Sequence, residues 1–191
     1  MKIAKKPEIR FLNDMRIVLC DAGWAKKAKN LELYYMYRGV KKKDGLRYDI
    51  TIMPPKMLGK EFLKTKGHRH SNKYGEIYVV NSGNAIFLFQ KYANNKVEDV
   101  YAVQARKGDI VIVPSYYDHL TINPSNTKLE LANWVSGKCK NTYDMIEEKH
   151  GACYFYTKKG WIKNKNYKNT PKLRFEKPLK TMPKNLDFLK E

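Results

Sequence analysis

Thr65-Lys66-Gly67-His68-Arg69-His70, with Glu76-Ile77-Tyr78 just beyond it, is the stretch on which the reading of this chain turns. Side chains alternate across an extended strand, so imidazoles at i and i+2 point to one face. A single strand can therefore supply two metal ligands at once, here His68 and His70. Glu76 opens the next strand-like run, and His119 stands in a second stretch further along. If these segments converge, three imidazoles and one carboxylate make a mixed nitrogen and oxygen shell suited to Fe, Mn, Ni or Zn. Isolated histidines usually only hydrogen-bond to their neighbours, but three of the chain's four histidines fall in these two stretches.

Working outward, the texture on either side is β. Short runs at 31–37, 47–53, 68–70, 76–81, 85–90, 99–103, 109–113, 119–123 and 129–134 are rich in β-branched and aromatic residues, and Gly, Pro, Asn or Ser bounds each one. Many short strands at such spacing predict an antiparallel barrel or sandwich. A chain of 191 residues suffices for one domain with a real core. The expected organisation is an N-terminal arm over 1–30 with a short helical piece at 22–29, a barrel domain over 31–157, and a lysine-rich C-terminal tail over 158–191. Within the barrel domain, residues 141–150 predict one short helix. Residues 154–157 with Trp161-Ile162 predict a hairpin that crosses its end. Beyond it the composition of Lys, Asn and Pro predicts a segment wrapped over the surface or partly disordered.

The formal net charge is +19, with lysine far outnumbering arginine. The lysines come in scattered short runs (26–27, 41–43, 158–159), without a single basic face or an aromatic RNA-binding signature, so surface solvation is favoured over nucleic-acid binding. No run of eighteen apolar residues occurs, and the basic N-terminus lacks an apolar stretch behind it, so neither a membrane span nor a secretory leader is expected. Three cysteines without CxxC spacing fit a reducing cytoplasm better than a disulfide or thiolate-zinc framework. Cys139, between Lys138 and Lys140, has a setting that lowers a thiol pKa, but no base is visibly paired with it.

Gly67, His68, His70, Glu76 and Gly83, together with Gly108, Pro114, His119 and Asn123, resemble the paired motifs of the cupin superfamily. The resemblance implies an all-β double-stranded β-helix, or jelly-roll barrel, with one divalent ion held by His68, His70, Glu76 and His119. Gly59-Lys60-Glu61-Phe62, Thr65-Lys66-Gly67-His68-Arg69-His70 and Glu76-Ile77-Tyr78 are similar to the wording of the archaeal cupin-type glucose-6-phosphate isomerases, the likeness running over 47–146. What that implies is interconversion of glucose 6-phosphate and fructose 6-phosphate, Fe(II) or else Mn, Ni or Zn, and a homodimer. By the same resemblance Thr51, Thr65 and Gly67 meet the phosphate, Tyr78 and Tyr143 contact substrate, and Glu76, His119 and Tyr78 form the catalytic set. Hydroxyls and a glycine amide suit a phosphate cradle, because they donate hydrogen bonds without crowding the anion.

The chain departs from that family pattern in three places. The loop between His70 and Glu76, with Lys73 and Tyr74, is one residue shorter. Trp134 stands where a Tyr is expected, and the loop over 136–142 has Lys138 and Lys140 in place of a histidine and aspartates. Two other functions stay open: a metal cupin acting on another sugar phosphate or oxidising a small molecule, and a non-catalytic barrel binding a sugar phosphate or nucleic acid.

Overall fold

A computed structural model describes residues 5–71, 73–94 and 96–190, so residues 1–4 of the expected arm and 191 of the expected tail lie outside the described residues. Two of the four sheets formed by the described residues face each other. One runs in the order Glu8–Phe11, Glu32–Lys43, Leu46–Met53, Leu129–Ser136, Glu76–Ser82, Ile110–Val113, and the other Asp118–Ile122, Asn84–Ala93, Lys96–Arg106, Arg174–Glu176. From Glu76 onward the chain passes repeatedly from one sheet to the other, which is the jelly-roll winding of a double-stranded β-helix. The all-β cupin barrel expected from the motifs is the fold observed.

Alternation along the strands decides what lies between the sheets. Met53, Leu129, Leu131, Val80 and Val113 of the first sheet meet Phe87, Phe89, Leu120 and Ile122 of the second in one apolar cluster. Burying each large side chain contributes roughly 1.5–3 kcal/mol. The motif glycines shape the turns. Gly83 has φ +81°, and a Cβ there would lie 2.6 Å from the Lys128 carbonyl, so only glycine fits. Asn123 is fully buried and ties two loops together, donating to the carbonyls of Met53 (3.1 Å) and Thr127 (2.9 Å).

Both terminal extensions join the barrel. Glu8–Phe11 pairs as an outer strand with Glu32–Lys43, and Leu12, Met15 and Val18 behind it are fully buried. The helix there spans Ala22–Lys27, capped by the Asp21 carboxylate accepting from the Trp24 amide. At the other end Arg174–Glu176 adds to the second sheet in parallel with Lys96–Arg106, and Leu189 is fully buried against Ile77 and Ile110. The hairpin forms as expected, Tyr154–Thr157 with Gly160–Lys163. The helix expected over 141–150 is shorter, Asp144–Glu148, because Asn141–Thr142 is drawn out as a strand beside Arg69–His70. Tertiary pairing overrides local preference there.

Candidate functional site

The inner face of the six-stranded sheet can be read as cross-strand rows. Arg10 lies opposite Tyr34; Met36 is followed across the sheet by Thr51; Asp49, Asn133 and Tyr78 form the next row; Arg47, Val135 and Glu76 the one after. Positions two apart share a face, so these rows all look into the same pocket. The opposite wall comes from the histidine segment. Residues 64–68 run antiparallel beside Asp118–Ile122, with His68 and His119 exchanging backbone hydrogen bonds of 3.1 and 2.9 Å. Gly67 is needed at the entry to that segment, since its φ is +84°.

This geometry brings His68, His70, Glu76 and His119 together, with one ligand atom from each within 4.8 Å of all the others. Ring centroids of His68 and His70 are 5.4 Å apart, as the shared strand face requires, and His119 lies 4.3 and 5.1 Å from the two. Glu76 Oε2 is 3.2 Å from His119 Nε2 and 3.5 Å from His70 Nε2. Glu76 Oε1 accepts from Asn133 Nδ2 at 2.5 Å. His70 Nδ1 donates to the Tyr74 carbonyl at 2.8 Å, which leaves Nε2 directed at the cluster.

Electrostatics matches a cation-binding set. Desolvation opposes charge on Glu76, yet the His119 and His70 rings facing it hold its carboxyl well below the usual range. Burial also works against His70, but hydrogen bonds with Cys139 and Glu76 raise it to about 10. Burial and the neighbouring His119 push His68 well below the ordinary imidazole value. Glu76 Oε2 and His119 Nε2 are shielded from water without a hydrogen-bond partner among the described residues. Buried orphan atoms of this kind are rare and need an explanation. A divalent ion coordinated at about 2.0–2.2 Å would satisfy both, so the residues present fit one.

The other expected residues also reach this pocket. Thr51, Thr65, Gly67, Tyr78 and Tyr143 all line it. Burial first, and the Glu76 charge next, push the Tyr78 hydroxyl well above its ordinary pKa, so it stays protonated. Tyr143 sits at the start of the short helix with its ring 5.9 Å from His68 and the Lys66 ammonium 5.0 Å above it. Lys138 and Lys140 are exposed and do not line the pocket. Trp134 lies on the opposite face from Asn133 and Val135, packed on Tyr48 at 4.9 Å, so it offers nothing to the pocket interior. Sequence reasoning missed Arg10, Tyr34, Arg38, Asp49 and Asn133, which become neighbours only through strand pairing. The inward alternation of Arg47, Asp49 and Thr51 was the available signal.

A jelly-roll barrel with three imidazoles and a carboxylate converging inside it defines the class: a cupin equipped to hold a divalent ion. The family model described as Glucose-6-phosphate isomerase (GPI) matches residues 28–172, and the chain belongs to that isomerase family. It is similar to the glucose-6-phosphate isomerase of Pyrococcus abyssi, 33% identical over 125 residues, which is 62% of this chain and 64% of that one. It is also similar to that of Thermococcus litoralis, 28% identical over 151 residues, 75% of this chain and 77% of the other. Among solved structures, a cupin superfamily protein from Desulfitobacterium hafniense aligns over 54% of this chain and 76% of its own at 9% identity, with a TM-score of 0.38.

Proposed function

We propose that this protein is a metal-dependent aldose–ketose isomerase interconverting glucose 6-phosphate and fructose 6-phosphate. One observation supports this most: a single pocket is lined both by the His/Glu cluster and by Thr51, Thr65 and Gly67. A carbonyl group and a phosphate on one small sugar need those two kinds of partner.

When bound, the divalent ion supplies Lewis-acid stabilisation of the charge that develops on the sugar's C1 and C2 oxygens. His68, His70, His119 and Glu76 would hold it. The chain's own residues do the rest. Glu76 is the carboxylate placed to take a proton from one carbon and return it to the next through an enediol, and to do so its Oε2 would have to be released from the ion it otherwise helps to hold. Asn133, bound to Oε1, fixes the carboxylate plane. The Tyr78 hydroxyl, kept protonated, can donate to a substrate oxygen. The enclosed space is only about 50 Å³, room for an ion and a water molecule. A hexose phosphate therefore enters as pocket side chains swing outward.

Iron(II) is the proposed ion, with Mn, Ni or Zn able to replace it, since all accept this donor set. The free thiols Cys20, Cys139 and Cys153 support a cytoplasmic setting, and no helix among the described residues is long and apolar enough to cross a membrane. A homodimer is proposed from the family resemblance and is checked by light scattering. The deciding experiment is a coupled assay of fructose 6-phosphate conversion before and after chelation, with metal analysis of the same sample. Turnover lost on chelation and restored by a divalent ion is expected; no turnover in the metal-loaded protein overturns the proposal. In deuterated water, label in the product supports Glu76 and the enediol. Unlabelled product throughout favours direct hydride migration between the carbons.

A further inference from the structure

The cations lining the pocket are not equivalent. Asp49 engages Arg38 at 3.5 Å and Arg47 at 3.0 Å, and also accepts the Gly39 amide at 2.6 Å. Lys66 is paired with Glu147 at 2.5 Å. Arg10 alone among these four has no ion pair with a described residue, and its Nε is shielded from water without a hydrogen-bond partner. The neighbouring Asp14 carboxylate accepts the Phe11 amide at 2.9 Å and favours the Arg10 charge from a distance, without an ion pair to it.

Arg10 belongs to the N-terminal strand, directly across from Tyr34, whose hydroxyl accepts the Lys66 amide at 3.2 Å. That link sets Arg10 beside the segment containing Thr65 and Gly67. The pocket's two carboxylates, Glu76 and Asp49, are committed elsewhere, so at this end the Arg10 charge is offset only from a distance, by Asp14. Burial works against the guanidinium charge, but Tyr34 and Tyr143 favour it, and the group is held cationic above its ordinary value. An unpaired guanidinium inside a pocket is costly unless a ligand supplies the anion. Its planar fork of donors matches a tetrahedral oxyanion.

We infer that Arg10 is the counter-charge to the phosphate of the substrate, so that the strand Glu8–Phe11 is a working part of the binding site. The inference rests on the sugar-phosphate reading above and names a residue beyond it. At neutral pH a phosphate monoester brings a charge of about −1.5 to −2, and bidentate pairing with Arg10 adds to the hydroxyl and amide donors of Thr51, Thr65 and Gly67.

The test is calorimetric titration of the metal-loaded wild type, Arg10→Gln and Arg10→Lys with fructose 6-phosphate, inorganic phosphate and fructose. Arg10→Gln should weaken both phosphate-bearing probes by about 10- to 100-fold, the scale of one charge-assisted pair, and leave fructose unchanged. Arg10→Lys keeps the charge but loses the fork, and should weaken them by about three- to tenfold. Kinetically the change should fall on KM more than on kcat. A folded Arg10→Gln that binds both phosphate probes within twofold of wild type overturns the inference while leaving the isomerase reading intact. Conversely, Arg10-dependent phosphate binding in a protein that does not turn over fructose 6-phosphate supports the anion site and rejects the isomerase reading. Should Arg10→Gln not fold, unchanged phosphate affinity in Arg10→Lys overturns the inference.

Discussion

Glu76 and Ile77 are adjacent on one strand and face opposite sides of it. Glu76 looks into the pocket, with an oxygen left unpaired among buried imidazoles. Ile77 looks outward and is fully buried, closed over by Ile110, Leu189 and the half-buried Trp134, Leu186 and Phe188. The Gly75 amide donates to the Phe188 carbonyl at 2.8 Å, and a Cβ on Gly75 would lie 2.6 Å from the Phe188 ring. The two faces therefore divide the work. Reactive groups on the inner face are left incompletely satisfied, and a late segment of the chain packs the outer face so that the strand bearing them stays fixed.

The largest expected effect comes from breaking the inner face alone. Glu76→Gln keeps the size and the Asn133 side of the interaction but removes the negative charge. It should lower kcat for fructose 6-phosphate by about 100- to 10,000-fold, the usual contribution of a general acid–base group. The melting temperature of the metal-free protein should fall modestly, since the charge favoured by His119 and His70 is lost. Activity above a tenth of wild type in a coupled assay would remove Glu76 as the proton carrier.

The outer face should respond in the opposite sense. Leu189→Ala removes a fully buried side chain, and deletions of that kind cost about 2–5 kcal/mol. For a chain this size that is a fall in melting temperature of roughly 5–10 °C. Turnover at 25 °C should stay within about threefold of wild type. If Leu189→Ala instead lost activity in proportion to Glu76→Gln with its melting temperature unchanged, the division between the faces would be wrong.

The same two faces explain what the sequence disclosed. The inner one was legible because a period of two, a histidine pair and a following glutamate are local patterns, and Thr51, Thr65 and Tyr143 followed from a family resemblance anchored on them. The outer one was not. Leu186, Phe188 and Leu189 sit in a lysine-rich stretch without alternation, and nothing nearby announces that they pack on a strand formed far earlier in the chain. Arg10 escaped for a similar reason, since its place at the pocket depends on pairing with Tyr34 across an outer strand with a bulge at Phe11. Trp134 shows the converse, a substitution noticed in sequence whose side chain points away from the site because its neighbours Asn133 and Val135 point in.

A pH experiment sharpens the inner face further. His70 is raised to about 10, so without metal it holds a proton at neutral pH, directed at an ionised Glu76. A divalent ion must displace that proton. Metal affinity should therefore rise by about tenfold per pH unit over the range between 6 and 8, with about one proton released per ion. Without metal the sign reverses for His70. Its raised pKa contributes stability fully below about 6.5, and that is lost as pH rises through about 10; the depressed Glu76 contributes above about 4.3 and loses that as pH falls. The metal-free pair is thus most stabilising between roughly pH 4.3 and 6.5. Calorimetry in buffers of different ionisation enthalpy counts the protons, and a count of zero at pH 7 would contradict the His70 assignment.

The smallest effect is expected where charge is high and the pocket is absent. By the family resemblance Lys138 and Lys140 stand where a histidine and aspartates are expected, and charge alone nominates them as phosphate ligands. Both are exposed, however, while the buried Cys139 between them turns inward toward His70. Exposed charges are screened over about 8 Å at physiological ionic strength, so at that range they contribute steering and little binding. The double variant Lys138→Ser/Lys140→Ser should leave KM for fructose 6-phosphate within about twofold of wild type at 0.15 M salt, with a somewhat larger change at low salt. A rise comparable to that expected for Arg10→Gln would mean that the loop over 136–142 folds onto bound substrate, and that net charge around the opening, in place of one buried guanidinium, selects the phosphate.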